Sequence, residues 1–178
     1  MTHTKLTPTS YIILGLLSQV PELTPYGLKQ LALAGVGHLW TIPHSQIYAE
    51  PARLARTSYL QERQEQAGRR RRRYAITDKG RGALEAWTRT PTDELPELRD
   101  LALMKVLFGG DAKELAPPQL EAHERKLATY RQMLATMPAE APGSWRYVLE
   151  AGMRYQREWV GFWSDVVDGR FDPLAVPR

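Results

Sequence analysis

Apolar residues fall along this chain first in short clusters, then in long helical stripes, with an arginine-rich polar stretch between. Tyr11, Ile12, Leu14, Leu16 and Leu17 form a dense cluster. It predicts a buried helix from Thr9 or Ser10 to about Ser18, capped by Ser10 and stopped by Pro21. Thr24 followed by Pro25 is a start signal for a second helix, because the hydroxyl accepts a free backbone N–H and proline fits the first helical position. Leu28, Leu31 and Ala32 recur there at helical spacing, and Gly35 and Gly37 predict its end in left-handed backbone. A third helix is predicted from His44 or Ser45, with Ile47 and Leu54 on one face and Ser45, Gln46, Tyr48 and Arg53 on others.

Two helices joined by a short linker, the second rich in hydrogen-bonding side chains, make a helix-turn-helix pattern, a pairing also found in plain bundles. The next residues along the chain narrow the choice. Tyr59 to Arg63 alternates in strand fashion, Gln66-Ala67-Gly68 reads as a turn, and Arg69 to Arg73 leads into a returning strand at Tyr74-Ala75-Ile76. A hairpin with a basic tip directly after two helices is a wing. Thr77 is the predicted cap of the next helix, whose apolar positions include Leu84 and Trp87, and Pro91 and Pro96 bound a linker.

The second half reads as helical throughout. A short apolar helix over Leu101 to Phe108 ends at Gly109-Gly110. After Pro117-Pro118, the positions Leu120, His123, Leu127, Tyr130, Leu134 and Met137 are spaced 3, 4, 3, 4 and 3. That is a coiled-coil seam of about two and a half heptads. Pro138 and Pro142-Gly143 break it. Ser144 is the predicted cap of a long last helix whose stripe includes Trp145, Val148, Leu149, Tyr155, Trp159, Val160 and Trp163, with Gly169 as its end and an irregular tail from Phe171 to Arg178. The three-tryptophan stripe is too wide for one neighbouring helix, so cover by the same arm of a second chain is expected, giving a two-fold dimer. The alternative is that these helices simply pack on the front domain.

The fold class that emerges is mainly α with a small β-hairpin wing: an N-terminal winged helix-turn-helix over residues 1–90 and a C-terminal helical dimerisation arm over 97–178.

Charge sharpens the picture. Residues 1–90 hold 13 Lys and Arg against 6 Asp and Glu, whereas residues 91–178 hold 11 against 14. A basic front half points to a polyanion partner. The preference for Arg over Lys, 18 to 6, is what a GC-rich genome gives without any function, but such a bias does not place the excess in one half. No apolar run approaches membrane-spanning length, so no membrane partner is expected. The first residues, Met1 to Leu6, lack a secretory pattern, and a cytoplasmic location is the expectation. Cysteine is absent and the four histidines have no metal-type spacing, so neither a metal nor another cofactor is expected. No phosphate-cradling glycine loop or nucleophile motif appears, which argues against an enzyme.

Several stretches resemble the PadR family of bacterial transcriptional regulators: Ser10-Tyr11-Ile12-Ile13-Leu14-Gly15-Leu16-Leu17, Pro25-Tyr26-Gly27-Leu28-Lys29, Gln46-Ile47-Tyr48 with Arg53-Leu54, and, most specifically, Arg73-Tyr74-Ala75-Ile76-Thr77-Asp78-Lys79-Gly80-Arg81. The likeness covers residues 8–90. The later part is similar in pattern and length to the longer subfamily with a helical dimerisation domain. The resemblance implies a dimeric regulator, usually a repressor, that binds a pseudo-palindromic operator and releases it when a small aromatic or phenolic molecule binds. Two departures stand out. The family has Tyr-Pro-x-Leu in the recognition helix, whereas this chain has Tyr48-Ala49-Glu50-Pro51, with proline at the core-leucine position. A kink or early end is therefore expected at Pro51, since proline gives the carbonyl of Ile47 no N–H and crowds it. The family's Glu-Gly-Leu after that helix is here Thr57-Ser58-Tyr59-Leu60, without the glycine terminator.

Candidate contacts to double-stranded DNA can be assigned from side-chain chemistry. Ser45 and Gln46 suit base edges, and Gln46 can pair with adenine in bidentate fashion. Tyr48, His44, Lys29 and Tyr26 suit phosphates, although Tyr26 is as readily packed. Arg53 joins them from the same helix. Arg69, Arg70, Arg71, Arg72 and Arg73 suit the backbone or a narrow minor groove, with about half facing the DNA if the run is extended. The plain alternative for the run is a solvated loop. Leu127, Tyr130, Leu134, Trp145, Trp159 and Trp163 are candidates for the dimer interface or for sandwiching a small aromatic effector, against ordinary core packing. A different functional class also stays open: a helical interaction or small-molecule-binding protein on a winged-helix scaffold whose DNA binding Pro51 has weakened.

Overall fold

The computed structural model describes residues 5–38, 40–65 and 70–171. Contacts divide the chain into two compact units, meeting between Glu94 and Leu95.

The first unit opens with α1 (Pro8–Ser18), which starts earlier than its apolar cluster implies. Thr7, not Ser10, is the cap. Its hydroxyl accepts the Ser10 N–H, while the Ser10 hydroxyl accepts the Thr7 N–H at 2.8 Å. This is a capping box with serine in place of the usual Glu or Gln. α2 (Pro25–Ala34) begins as expected, with the Thr24 hydroxyl accepting the Gly27 N–H. Its end differs: Gly35 sits at φ −127°, not in left-handed backbone, and the chain passes into a single 3₁₀ turn (Val36–His38).

α3 (His44–Arg56) corrects the expected early end at Pro51. The helix does not end there; it continues past the proline to Arg56. Pro51 is fully buried beside Ile47 and Leu54, so its ring fills the core site and compensates for one missing backbone hydrogen bond.

The glycine terminator has a substitute. Ser58 adopts φ +63°. Around it the Tyr59 N–H bonds the Leu54 carbonyl at 2.9 Å and the Ser58 N–H bonds the Ala55 carbonyl at 3.0 Å. These are the two bonds of a Schellman motif, with serine where glycine is strain-free. Left-handed backbone costs a non-glycine residue about 1–2 kcal/mol. Ser58→Gly is therefore expected to raise stability by about 0.5–1 kcal/mol after glycine's larger unfolded-state entropy is subtracted. Urea denaturation checks this, and a loss of stability would show that the Ser58 side chain matters more than its backbone.

β1 (Leu60–Gln64) and β2 (Arg72–Ile76) form an antiparallel hairpin in the register Leu60↔Ile76 to Gln64↔Arg72. Leu23 adds an isolated bridge to Tyr74, so the wing is tied by two backbone bonds to the segment between α1 and α2. The expected turn Gln66-Ala67-Gly68, together with Arg69, lies outside the described residues. α4 (Asp78–Arg89) starts at Thr77, as predicted. The core joins Ile13, Leu14, Leu17, Leu28, Ile47, Leu54, Leu60 and Tyr74. Trp87, half-exposed, stacks on Tyr11 with ring centres 4.6 Å apart.

The second unit contains α5 (Leu101–Leu107), α6 (Ala112–Ala135) and α7 (Gly143–Val167). Here α6 overrides a helix-breaker rule. It begins at Asp111, whose carboxylate accepts the Lys113 N–H at 2.8 Å, and runs straight through Pro117 and Pro118. Both prolines are exposed, whereas Ala116 just before them is fully buried. The packing around Ala116 holds the turn that the two missing N–H groups would otherwise help to hold. α7 is preceded by Pro142 and has no side-chain cap, so Ser144 is not its cap. Gly169, at φ +68°, does terminate it.

α6 and α7 cover much of each other. Leu127 and Tyr130 pack on Leu149 and Met153, with Met133, Leu134 and Met137 at the edge. Gly152 lets the helices approach: a Cβ there would meet the Tyr130 ring at 2.9 Å. A second cluster joins Ala102 of α5, Ala116 of α6 and Trp163 and Val166 of α7. Among the described residues, no helix is long and apolar enough to cross a membrane, and no cluster of acidic or histidine side chains has the makings of a metal site.

Candidate nucleic-acid interface

Three rows run along α3. Ile47, Pro51 and Leu54 face the core. Gln46, Glu50 and Arg53, at spacings of four and three, face α1. His44, Ser45, Tyr48, Ala49 and Arg56 lie on the outer side. Tyr48 leans on His44, with ring centres 4.9 Å apart. This outward row carries hydroxyl, imidazole and guanidinium groups and begins at a helix N-terminus, where free N–H groups and the helix dipole favour anions.

The row facing α1 is a polar network. Ser10, fully buried, donates to Glu50 Oε1 at 2.6 Å and accepts from the Thr7 N–H and from Arg53 Nη2 at 3.0 Å. That fills the one donor and two acceptor positions of its hydroxyl. Arg53 Nε also donates to Glu50 Oε2 at 2.7 Å. Burial raises the Glu50 carboxyl pKa, but the hydrogen bonds from Arg53 and Ser10 and the Arg53 charge outweigh it, so the net shift is downward. The hydrogen bond to Glu50 in turn raises the Arg53 pKa. Thr9 donates to Gln46 Oε1 at 2.7 Å. Thus Arg53, expected to contact DNA, is hydrogen-bonded to Glu50 and Ser10. One end of the Gln46 amide is already occupied.

The wing divides its arginines in the same way. Arg73 is paired with Glu65 at 2.8 Å and with Glu22 at 3.5 Å, and Arg72 with Glu62 at 3.4 Å. The hydrogen bond from Arg73 holds the Glu65 carboxyl below its usual range. Arg70, in left-handed backbone at φ +47°, and Arg71 are both exposed, and neither lies in a strand. The alternation argument therefore does not apply to them. From α2, Tyr26 is exposed and Lys29 half-buried. The first unit thus gathers His44, Ser45, Gln46, Tyr48, Tyr26, Lys29, Arg70 and Arg71 as solvent-reaching polar groups, while Arg53, Arg72 and Arg73 are tied to carboxylates.

Sequence reasoning missed Thr9, Glu22 and Glu50, and read Ser10 only as a cap. The Glu50–Arg53 spacing of three was a legible signal of a helix-face ion pair. The partners on α1 carried none.

In the helical unit the candidate residues separate. Trp163 is fully enclosed within its own chain, so this part of the tryptophan stripe is covered by α5 and α6 and needs no second chain. Its indole Nε1 is buried with no hydrogen-bond partner. Trp159 is half-buried and stacks on His123 at 5.6 Å, and His123 Nδ1 lies 2.6 Å from Gln156 Oε1. Leu127 and Tyr130 are buried, and Leu134 partly so. Trp145 is 45% exposed and, with Val148 and Tyr155, leaves an apolar edge on α7 open at spacings of three and seven.

A helix-turn-helix pair followed by a β-hairpin wing, with cations and hydrogen-bonding groups on the exposed row, defines a winged-helix DNA-binding protein. Comparison with known proteins gives the family. Residues 13–86 match the Transcriptional regulator PadR-like family, and residues 98–168 match the Virulence activator alpha C-term family. The chain is 26% identical over 173 residues to the Negative transcriptional regulator PadR of Bacillus subtilis (strain 168), covering 88% of this chain and 94% of that protein. The crystal structure of Bacillus subtilis PadR in complex with operator DNA superposes with a TM-score of 0.76 at 23% identity, covering 90% of this chain and 97% of that one. Bacillus subtilis PadR in complex with p-coumaric acid gives 0.71 at 24% identity, over 90% and 96%. Residues 13–86 thus carry a domain of the PadR-like family, a family of transcriptional regulators and not of enzymes.

Proposed function

We propose that this protein is a homodimeric, ligand-responsive repressor that binds a pseudo-palindromic operator from the cytoplasm. The observation that carries the DNA-binding part is that one unit holds both an exposed first turn of α3 and two exposed wing arginines, Arg70 and Arg71, outside strands. Residues 1–90 act as the DNA-binding domain and 97–178 as the dimerisation domain. The open edge of α7, with Trp145, Val148 and Tyr155, supports self-association, and two copies give the two-fold symmetry that a palindrome matches. Repression and an aromatic effector are supported by the Bacillus subtilis relative, a negative regulator solved with operator DNA and with p-coumaric acid. The other reading, a scaffold with weakened DNA binding, rested on a kink or early end at Pro51, and α3 does not end there but runs on to Arg56.

The test is fluorescence anisotropy on the DNA upstream of this protein's own gene against scrambled DNA, at two salt concentrations. Two protomers per upstream site and a clear preference for it are expected, with release on adding a planar aromatic acid. Replacing both Arg70 and Arg71 by alanine should weaken binding to all DNA and flatten the slope of log K against log salt by roughly 0.9 per phosphate lost. Replacing Arg73 should leave that slope nearly unchanged, since its charge is spent on Glu65 and Glu22. Equal slopes for wild type and the Arg70/Arg71 double variant would remove the wing from the interface.

A further inference from the structure

Gln46 lies in the first turn of α3 and is exposed, but its amide is not free. A glutamine reads adenine by offering oxygen and nitrogen together, the oxygen accepting from N6 and the nitrogen donating to N7. Here the oxygen is drawn back toward α1, where Thr9 Oγ1 donates to it at 2.7 Å. Thr9 is only 7% exposed, on the second residue of α1, so the hydroxyl is fixed by its helix. Holding the oxygen on the α1 side leaves the NH₂ as the outward end of the amide. An NH₂ group offers two donors, and the base edge in the major groove that presents two acceptors is that of guanine, at O6 and N7.

We propose that Thr9 is a specificity-determining positioning residue: it turns Gln46 into a donor-only reader that selects guanine over adenine. This rests on the reading of α3 as the helix that enters the major groove. The neighbouring Ser10–Glu50–Arg53 network fixes the rest of the same row against α1, so Gln46 has a rigid base from which to project.

The experiment is selection of binding sites from a random duplex library by the full chain. Wild type, Thr9→Val, Thr9→Ser and Gln46→Ala are compared, with the melting temperature of each variant measured alongside. Gln46→Ala identifies the position that Gln46 reads, as the one whose preference is lost. Wild type should carry guanine there. Thr9→Val, which keeps the shape and removes the hydroxyl, should move that position toward adenine, changing the guanine-to-adenine ratio roughly fivefold or more, the lower range for one bidentate pair. Other positions and the salt slope should stay the same, and Thr9→Ser should restore guanine. Guanine persisting in Thr9→Val, or adenine in both proteins, overturns the role of Thr9 while leaving α3 as the reading helix. If Gln46→Ala changes no position, the reading of α3 that underlies the proposal falls instead.

Discussion

Trp163→Ala is expected to destabilise the helical unit by about 3–5 kcal/mol, enough to unfold most of it at 37 °C. Trp163 is the largest fully buried side chain described. It joins α5, α6 and α7 through Ala102, Ala116 and Val166. Two of these neighbours are alanines and have no reach with which to close the space, so the cavity would persist. The orphaned Nε1 makes a second variant informative. An unsatisfied buried N–H costs about 1–3 kcal/mol. Trp163→Phe removes that group while leaving a smaller void, and the two effects oppose each other. Its net change should stay within about 1.5 kcal/mol of wild type. Urea denaturation followed by far-UV circular dichroism separates the cases; fluorescence serves less well, with five tryptophans in the chain. If Trp163→Phe costs as much as Trp163→Ala, the indole N–H has a partner in solution, and the packing argument is wrong.

The same residue shows where sequence reasoning stopped. Spacing of three and four put Trp163 on an apolar helix face, which was right. It did not say which surface covers that face. The decisive neighbours, Ala102 and Ala116, are small and lie on helices far away in sequence. One of them sits just before two prolines that a local rule treats as a helix boundary. Periodicity reports that a face is buried, whereas what it is buried against depends on tertiary packing.

The front unit was more legible, because its signals are local and directional. Thr24-Pro25, Thr77 and the turn of polarity into Tyr74-Ala75-Ile76 all mark boundaries by hydrogen-bond chemistry within a few residues. The errors there have the same local character. Ser10 has the chemistry of a cap, but Thr7 three residues earlier uses it as the second half of a capping box. Pro51 has the chemistry of a breaker, but a core site accepts its ring. At the candidate interface, the composition of the exposed row was readable, whereas the pairing of Arg53, Arg72 and Arg73 was not. A run of like charges looks uniform in sequence. Here its members differ because Glu62 and Glu65 lie on the facing side of the hairpin and Glu22 lies beside the bridge at Leu23.

Gly80→Ala should be the most damaging single-methyl change in the winged unit. Gly80 lies at the third position of α4, where the helix rests on the wing. A Cβ there would sit 2.3 Å from the Tyr59 carbonyl oxygen, 2.9 Å from Ile76 Cγ1 and 3.2 Å from Leu14 Cδ2. The first of these is backbone and is itself held, accepting from the Thr77 hydroxyl at 3.0 Å and from the Thr77 N–H at 3.2 Å. It cannot retreat without giving up the cap of α4, since Thr77 also accepts the Gly80 N–H at 3.1 Å. Overpacking costs about 1–3 kcal/mol, and loss of a cap about 1 kcal/mol more. A total of about 3 kcal/mol is therefore expected. Because β1 begins beside the same contact, the wing should shift with the helix, and DNA affinity should fall even where the protein remains folded. Gly82, two residues on, is the control: it is exposed, and a Cβ there meets nothing within 4 Å. Gly82→Ala should stabilise by about 0.5–1 kcal/mol through helix propensity alone. The two substitutions add the same atom to the same helix, so opposite signs in thermal denaturation would establish that contact with Tyr59, and not helix propensity, keeps position 80 without a side chain. Equal and small effects would mean that α4 stands off from the wing in solution.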